Sequence, residues 1–155
     1  MKPHPDFRDR APPEDAAFGR FRLERLTPAH VEEDFAIVTA SASVLGGLFA
    51  SDWPAGLTLE ANLADLERHA REFEARYAFA WIIRDADGTY LGCTYLVPIP
   101  DTPGKGEVFT WIRDRADRLA LLAEFNPAFR RWLTPHLPDG FVLTWASNDR
   151  PDGAG

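Results

Sequence analysis

A chain of 155 residues, 45% hydrophobic with eleven Phe and five Trp, has the size of a single globular domain and enough apolar mass to bury a core without disulfide or metal staples. Twenty-four acidic against seventeen basic residues leave a net charge of −7, whose field repels phosphate backbones, so no nucleic-acid partner is expected. Nothing approaches the ~18 apolar residues of a membrane span, the N-terminus has no apolar h-region, and the lone Cys93 excludes an intrachain disulfide; a cytoplasmic protein without a membrane partner is expected.

Residues 1–19 carry Pro3, Pro5, Pro12 and Pro13 among mixed charges and read as a flexible arm with little to bury. Phe18 to Leu26 alternates as a first strand. Thr27-Pro28 then opens a helix to about Thr39, with Val31, Phe35 and Val38 on one face. Ser41 to Gly56 is an irregular loop bearing Leu45, Leu48, Phe49 and Trp53, which folds back on the core, lines a small-ligand pocket or makes a dimer contact. Thr58 caps a second helix whose Leu63, Leu66, Ala70, Phe73 and Tyr77 form a buried stripe, with Glu67–Arg71 and Glu72–Arg76 paired outside at i, i+4. His69 has no second ligand-type residue at metal spacing, so it reads as a surface or core-edge histidine and no metal is expected.

Ala78 to Asp85 is apolar on both faces, as a central strand is, and Asp87-Gly88 turns it into a partner strand, Thr89 to Val97. Gly92 inside that partner predicts a bulge or a close backbone approach, and Cys93 a buried inert thiol. Glu107 to Arg113 completes a three-strand meander. Helix follows, and Asn126-Pro127 predicts a break between Arg118–Phe125 and Pro127–Leu133. Pro138-Asp139-Gly140 turns the chain into a last strand, Phe141 to Ser147, ahead of a polar tail over 149–155.

Three stretches in this order, FRLERLTPAHVEED, FAWIIRDADGTYLGCTYLVP and GEVFTWIR leading into a helix, resemble the GCN5-related N-acetyltransferase (GNAT) superfamily over roughly Phe21 to Asn148. The resemblance implies one GNAT-like domain over 20–148: an α/β (α+β) acyl-CoA N-acyltransferase fold with a mixed, mostly antiparallel sheet flanked by helices, C-terminally truncated. It also implies acetyl-CoA as co-substrate and a small-molecule or peptide amine as acceptor. Under it the sheet splays after Glu107–Arg113; the backbone of Thr110, Trp111 and Ile112 pairs with the pantetheine arm, and Arg113, Arg115 and Arg118 neutralise phosphate at the next helix start. Asn148 matches an Asn often found at the end of the last strand. Glu107 stands where the family often places its base, and equally reads as a solvated Glu at a strand end.

The chain departs from the family in two places. RDRADRLA carries no glycine where the family spaces several, and the sequence stops within eight residues of Ser147, before the helix that usually bears a Tyr acid. Two functional readings follow: an acyl-CoA-dependent N-acetyltransferase, or a catalytically inactive GNAT-like binding or interaction protein. The sheet edge at Phe141–Ser147 predicts a homodimer.

Overall fold

A computed structural model describes residues 1–150 of the chain; the tail from 151 onward lies outside the described residues. Strands β1 (Asp15–Phe18), β2 (Phe21–Arg25), β3 (Phe79–Asp85), β4 (Tyr90–Pro98) and β5 (Lys105–Ile112) form an antiparallel meander. Strand β6 (Val142–Ser147) adds to β5 in parallel, completing a six-stranded sheet in chain order. A parallel neighbour requires a crossover, supplied by helix α4 (Arg118–Leu133). Helices α1 (Val31–Ala40), α2 (Ala42–Leu45) and α3 (Leu59–Glu74) fill the connection between β2 and β3.

Alternation along β3 feeds two cores. Trp81 and Ile83 join Phe21, Leu23, Leu121, Phe125 and Phe129 under α4, while Ala80 and Ile82 join Ile37, Val38, Leu45, Leu66 and Trp111 under α1–α3. Gly92 meets both halves of its expectation. The β3–β4 register shifts between Ile83 and Arg84, and a Cβ on Gly92 would stand 1.9 Å from the Trp111 carbonyl oxygen.

Four expectations are corrected. The N-terminal stretch is docked, not loose: Phe7 is fully buried with its ring 5.0 Å from Phe79, His4 bonds Ile99 O at 2.7 Å, and Asp6 accepts from the Gly104 amide. Its last residues form β1. Helix α4 runs unbroken through Pro127, because Phe125, Phe129 and Leu133 are all fully buried and hold both sides of the proline to one core. The buried face of α3 keeps Leu66 and Phe73 of the expected stripe but begins at Asn62, which is buried, and not at Leu63, which is exposed. Its outer ion pair is Arg68–Glu72 at 2.8 Å, whereas Arg76 bonds the Phe7 carbonyl.

Candidate functional site

The parallel β5–β6 ladder runs from Lys105↔Val142 to Thr110↔Ser147 and ends there. Beyond it Asn148 continues the pairing with a side chain. Its main-chain N–H donates to Thr110 O at 3.3 Å, its Oδ1 accepts from Ile112 N–H at 3.0 Å, and its Nδ2 donates to Ile112 O at 2.8 Å and Val44 O at 3.2 Å. A carboxamide thus takes both polar groups of one peptide position on β5. The Trp111 peptide belongs to the other edge, in register with Cys93. The Thr110 side chain is tied to Thr94 at 2.7 Å.

The start of α4 lies just past this point. Asp117 is its N-cap but makes no capping bond, because its carboxylate is held by Arg115 at 2.6 and 3.1 Å. The amides of Leu119 and Ala120 therefore keep their place at the positive end of the helix dipole without a side-chain acceptor. Arg118 is buried and donates a short bond to Asn148 O and another to Arg150 O at 3.0 Å. Arg113 donates to Tyr90 O at 3.2 Å. Arg115 and Arg118 thus stand at the helix start while Arg113 turns back onto β4, each engaged by a group of the chain itself. A cavity of about 370 Å³ opens there beside Ser43, Asp114, Arg115 and Arg118. A groove of about 580 Å³ follows β6 past Trp145, Ser147 and Asn148, with the Arg130 guanidinium 4.5 Å over the Trp145 ring.

A further cavity, of about 410 Å³, lies between α1, α3 and the β4–β5 pair. Phe49, Trp53, Tyr95 and Phe109 give it aromatic walls, and Asp34, Asn62, Asp65 and His69 give it polar points. Asp34 is buried at the centre of a hydrogen-bond network: Tyr90 Oη donates a short bond to Oδ1, Asn62 Nδ2 donates to Oδ2 at 2.9 Å, and the Cys93 thiol lies 3.0 Å from the Tyr90 hydroxyl. Burial raises the Asp34 pKa, and the Tyr90 and Asn62 bonds oppose that rise. Burial likewise pushes the Tyr90 and Tyr95 phenols and the Cys93 thiol well up, so all three stay protonated, and Cys93 is the inert thiol the sequence implies. Tyr95 accepts from Trp111 Nε1 at 3.0 Å. His69 packs 5.2 Å from the Tyr95 ring, and burial, aided by Arg68, lowers its pKa to about 3, making it a neutral imidazole.

Glu107 is half-buried on β5, opposite Val97 and Thr144, on the face that carries Phe109 two residues on. It is not among the residues lining the aromatic cavity. The geometry therefore brings Thr110, Ile112, Arg115, Arg118 and Asn148 together at one junction, turns the Arg113 side chain back onto β4, and sets Trp111 and Glu107 apart. Asp34, Asn62, Tyr95 and His69 went unrecognised in the sequence as site residues. A signal existed: Asp34 shares the i, i+3, i+4 face of Ile37 and Val38, and Asn62 stands one turn before Leu66. Among the described residues no group of three or more His, Cys, Asp or Glu is arranged to hold a metal, and no helix is long and apolar enough to cross a membrane.

No protein-family model and no curated protein matches the sequence. Solved structures do match in shape. The RimL ribosomal L7/L12 α-N-protein acetyltransferase, in complex with coenzyme A, superposes with a TM-score of 0.63 at 14% identity over 76% of this chain and 66% of that one. A GCN5-related N-acetyltransferase from Brucella melitensis gives 0.60 at 19% over 91% and 61%. The microcin C7 self-immunity acetyltransferase MccE, bound to acetyl-CoA and AMP, gives 0.52 at 11% over 71% and 64%. The chain thus has the GNAT fold, a mixed and mostly antiparallel sheet flanked by helices, and spans just under two thirds of the length of these structures.

Proposed function

We propose that this GNAT-fold chain is an acyl-CoA-dependent N-acetyltransferase, taking acetyl-CoA as co-substrate and a small-molecule or peptide amine as acceptor in the cytoplasm. The observation that carries the reading is the Ile112 peptide, whose N–H and C=O are paired with the Asn148 carboxamide and not with a strand. An amide of a pantetheine arm offers the same donor and acceptor, and it takes the place of that side chain once the Asn148 carboxamide turns out to water. Arg115, Arg118 and the uncapped first turn of α4 then stand at the phosphate end, and the Arg130–Trp145 groove runs alongside.

The co-substrate supplies an activated thioester. For the amine to attack, a base has to receive its proton, and we assign that role to Glu107, a half-buried carboxylate of β5 that lies outside the Ile112 junction. The new amide forms as the thioester C–S bond breaks, and the departing coenzyme A thiolate needs a proton, for which Tyr95, kept protonated by burial, is a hydroxyl on the neighbouring strand β4. Acetyl-CoA at about 100 times its Kd stabilises the native chain by about 2.7 kcal/mol, which a melting experiment reads directly. No rise in Tm at any acetyl-CoA concentration overturns the proposal.

Two observations favour a second reading, a GNAT-fold binding protein without catalysis: the buried Arg118 guanidinium is already spent on Asn148 O and Arg150 O, and no glycine lies between Gly106 and Gly140 to let a phosphate approach the helix. Acetyl-CoA turnover with an amine panel, abolished by Glu107→Gln, decides for the enzyme. Binding without turnover decides for the second reading.

A further inference from the structure

The cavity between α1, α3 and the β4–β5 pair has features of its own that the fold does not require. Its volume of about 410 Å³ suits a ligand with a ring or a short alkyl chain. Phe49 is the hub of its walls, with ring centroids 5.2 Å from Trp53, 5.6 Å from Tyr95 and 5.1 Å from Phe109. The charged groups facing it are Asp34, Asp65 and Arg68, a formal sum of −1 with His69 neutral. Arg68 is paired with Glu72 at 2.8 Å and with Asp65 at 3.9 Å. Asp34 is fixed from two sides by Tyr90 and Asn62, so its carboxylate is held in place inside the wall.

We propose that this cavity binds a small organic cation, an alkyl- or arylalkylammonium whose nitrogen sits on the Asp34–Asp65 side and whose apolar body packs on Phe49, Trp53 and Phe109. Electron-rich ring faces attract a cation, and a carboxylate in low dielectric attracts it more strongly than one in water. A carboxylate ligand of the same shape meets Asp34 instead and is rejected. One loop separates this cavity from the groove along β6: Gly46, Gly47 and Leu48 line the groove, and Phe49, Ser51 and Trp53 line the cavity. As the acceptor site of an acetyltransferase the cavity rests on the reading above; as a cation site it rests on its walls alone.

The test uses the full chain without acetyl-CoA and three probes of one shape: phenethylamine, 3-phenylpropionate and 2-phenylethanol. Tryptophan fluorescence and Tm are read up to about 10 mM probe. The expected result is that phenethylamine binds at least about tenfold more tightly than the acid or the alcohol. Asp34→Asn should remove most of that preference, and Trp53→Phe should shrink the fluorescence change while the Tm shift remains. Asp65→Asn, at a half-exposed position, should reduce the preference in a chain that folds even where Asp34→Asn does not. Equal binding of amine and acid, no binding of the amine, or a preference surviving both aspartate substitutions overturns the proposal. Acetyl-CoA raising Tm while the amine fails to bind sinks this inference only; amine binding without any acetyl-CoA shift sinks the acetyltransferase reading only.

Discussion

One methyl group added at Gly92 would stand 1.9 Å from the Trp111 carbonyl oxygen, far inside contact distance, and both partners are backbone in adjacent strands. Relief requires β4 and β5 to move apart at the bulge. Gly92→Ala should therefore cost at least the upper part of the about 1–3 kcal/mol usual for overpacking, seen as a lowered urea midpoint with an unchanged m-value. His69 makes a second prediction. Its folded pKa of about 3 lies below its ordinary 6.5, so between those values the unfolded chain binds the extra proton and stability is lost as pH falls below the unfolded value. Asp34, raised above 3.8, acts the other way just above that pH. With its side chain 19% exposed and Glu72 at 4.0 Å tempering the effect, His69 should account for about 1 kcal/mol of stability lost between pH 7 and pH 5. Urea unfolding at the two pH values should show a smaller loss in His69→Gln than in the parent; equal losses would refute the assignment. The core-edge position of His69 was legible in the sequence; its lowered pKa was not, because the burial that causes it comes from packing against Tyr95, 26 positions away along the chain, with Arg68 adding to it.

At the level of elements, the N-terminal stretch shows how local composition and tertiary burial part company. Its prolines do prevent a long helix or strand, and as far as Pro13 the chain forms only a 3-10 turn at Pro5–Phe7. Yet that turn delivers Phe7 into the core between Phe79 and Phe141, and the Trp81 indole bonds the Pro13 carbonyl at 3.0 Å. Phe7→Ala should thus cost about 3–5 kcal/mol, as for a core phenylalanine, while Arg8→Ala at the exposed neighbour should fall within about 0.5 kcal/mol of the parent. Chemical denaturation of both variants checks it, and a negligible cost at Phe7 would restore the loose arm. Helix α3 teaches a related point. Asn62 and Leu63 stand four and three residues before Leu66, so both satisfy helical spacing; hydrophobicity favours Leu63, whereas Asn62 is buried because Asp34 across the helix pair accepts its amide. Pro127 marks a boundary by local rules, and the surrounding phenylalanines overrule it.

Across the whole molecule, strand order was legible because each strand carries its own pattern: β3 apolar on both faces, Asp87-Gly88 turning it, and Gly92 marking the bulge. The junction at Ile112 was legible in membership, but its state was not. That Asn148 closes the ladder depends on where a crossover of twenty-nine residues, from Arg113 to Phe141, returns the chain, and no local pattern encodes that register. The same crossover leaves β6 at the rim of the sheet. Among the described residues it has a neighbour on one side only, and Val142 is 59% exposed. Val142 and Asn148 direct their N–H groups to β5, so by the period of two the N–H groups of Leu143, Trp145 and Ser147 point outward. Such an edge pairs readily with its own copy, since two identical strands meeting antiparallel obey a two-fold axis and satisfy each other's donors. Light scattering after size-exclusion chromatography should therefore give twice the 17.4 kDa of one chain. Leu143→Pro removes an outward donor while leaving those of Val142 and Thr144 in place, and should shift the population toward monomer. A single-chain mass at every concentration would remove the edge from consideration, and a dimer indifferent to Leu143→Pro would move the contact to another face.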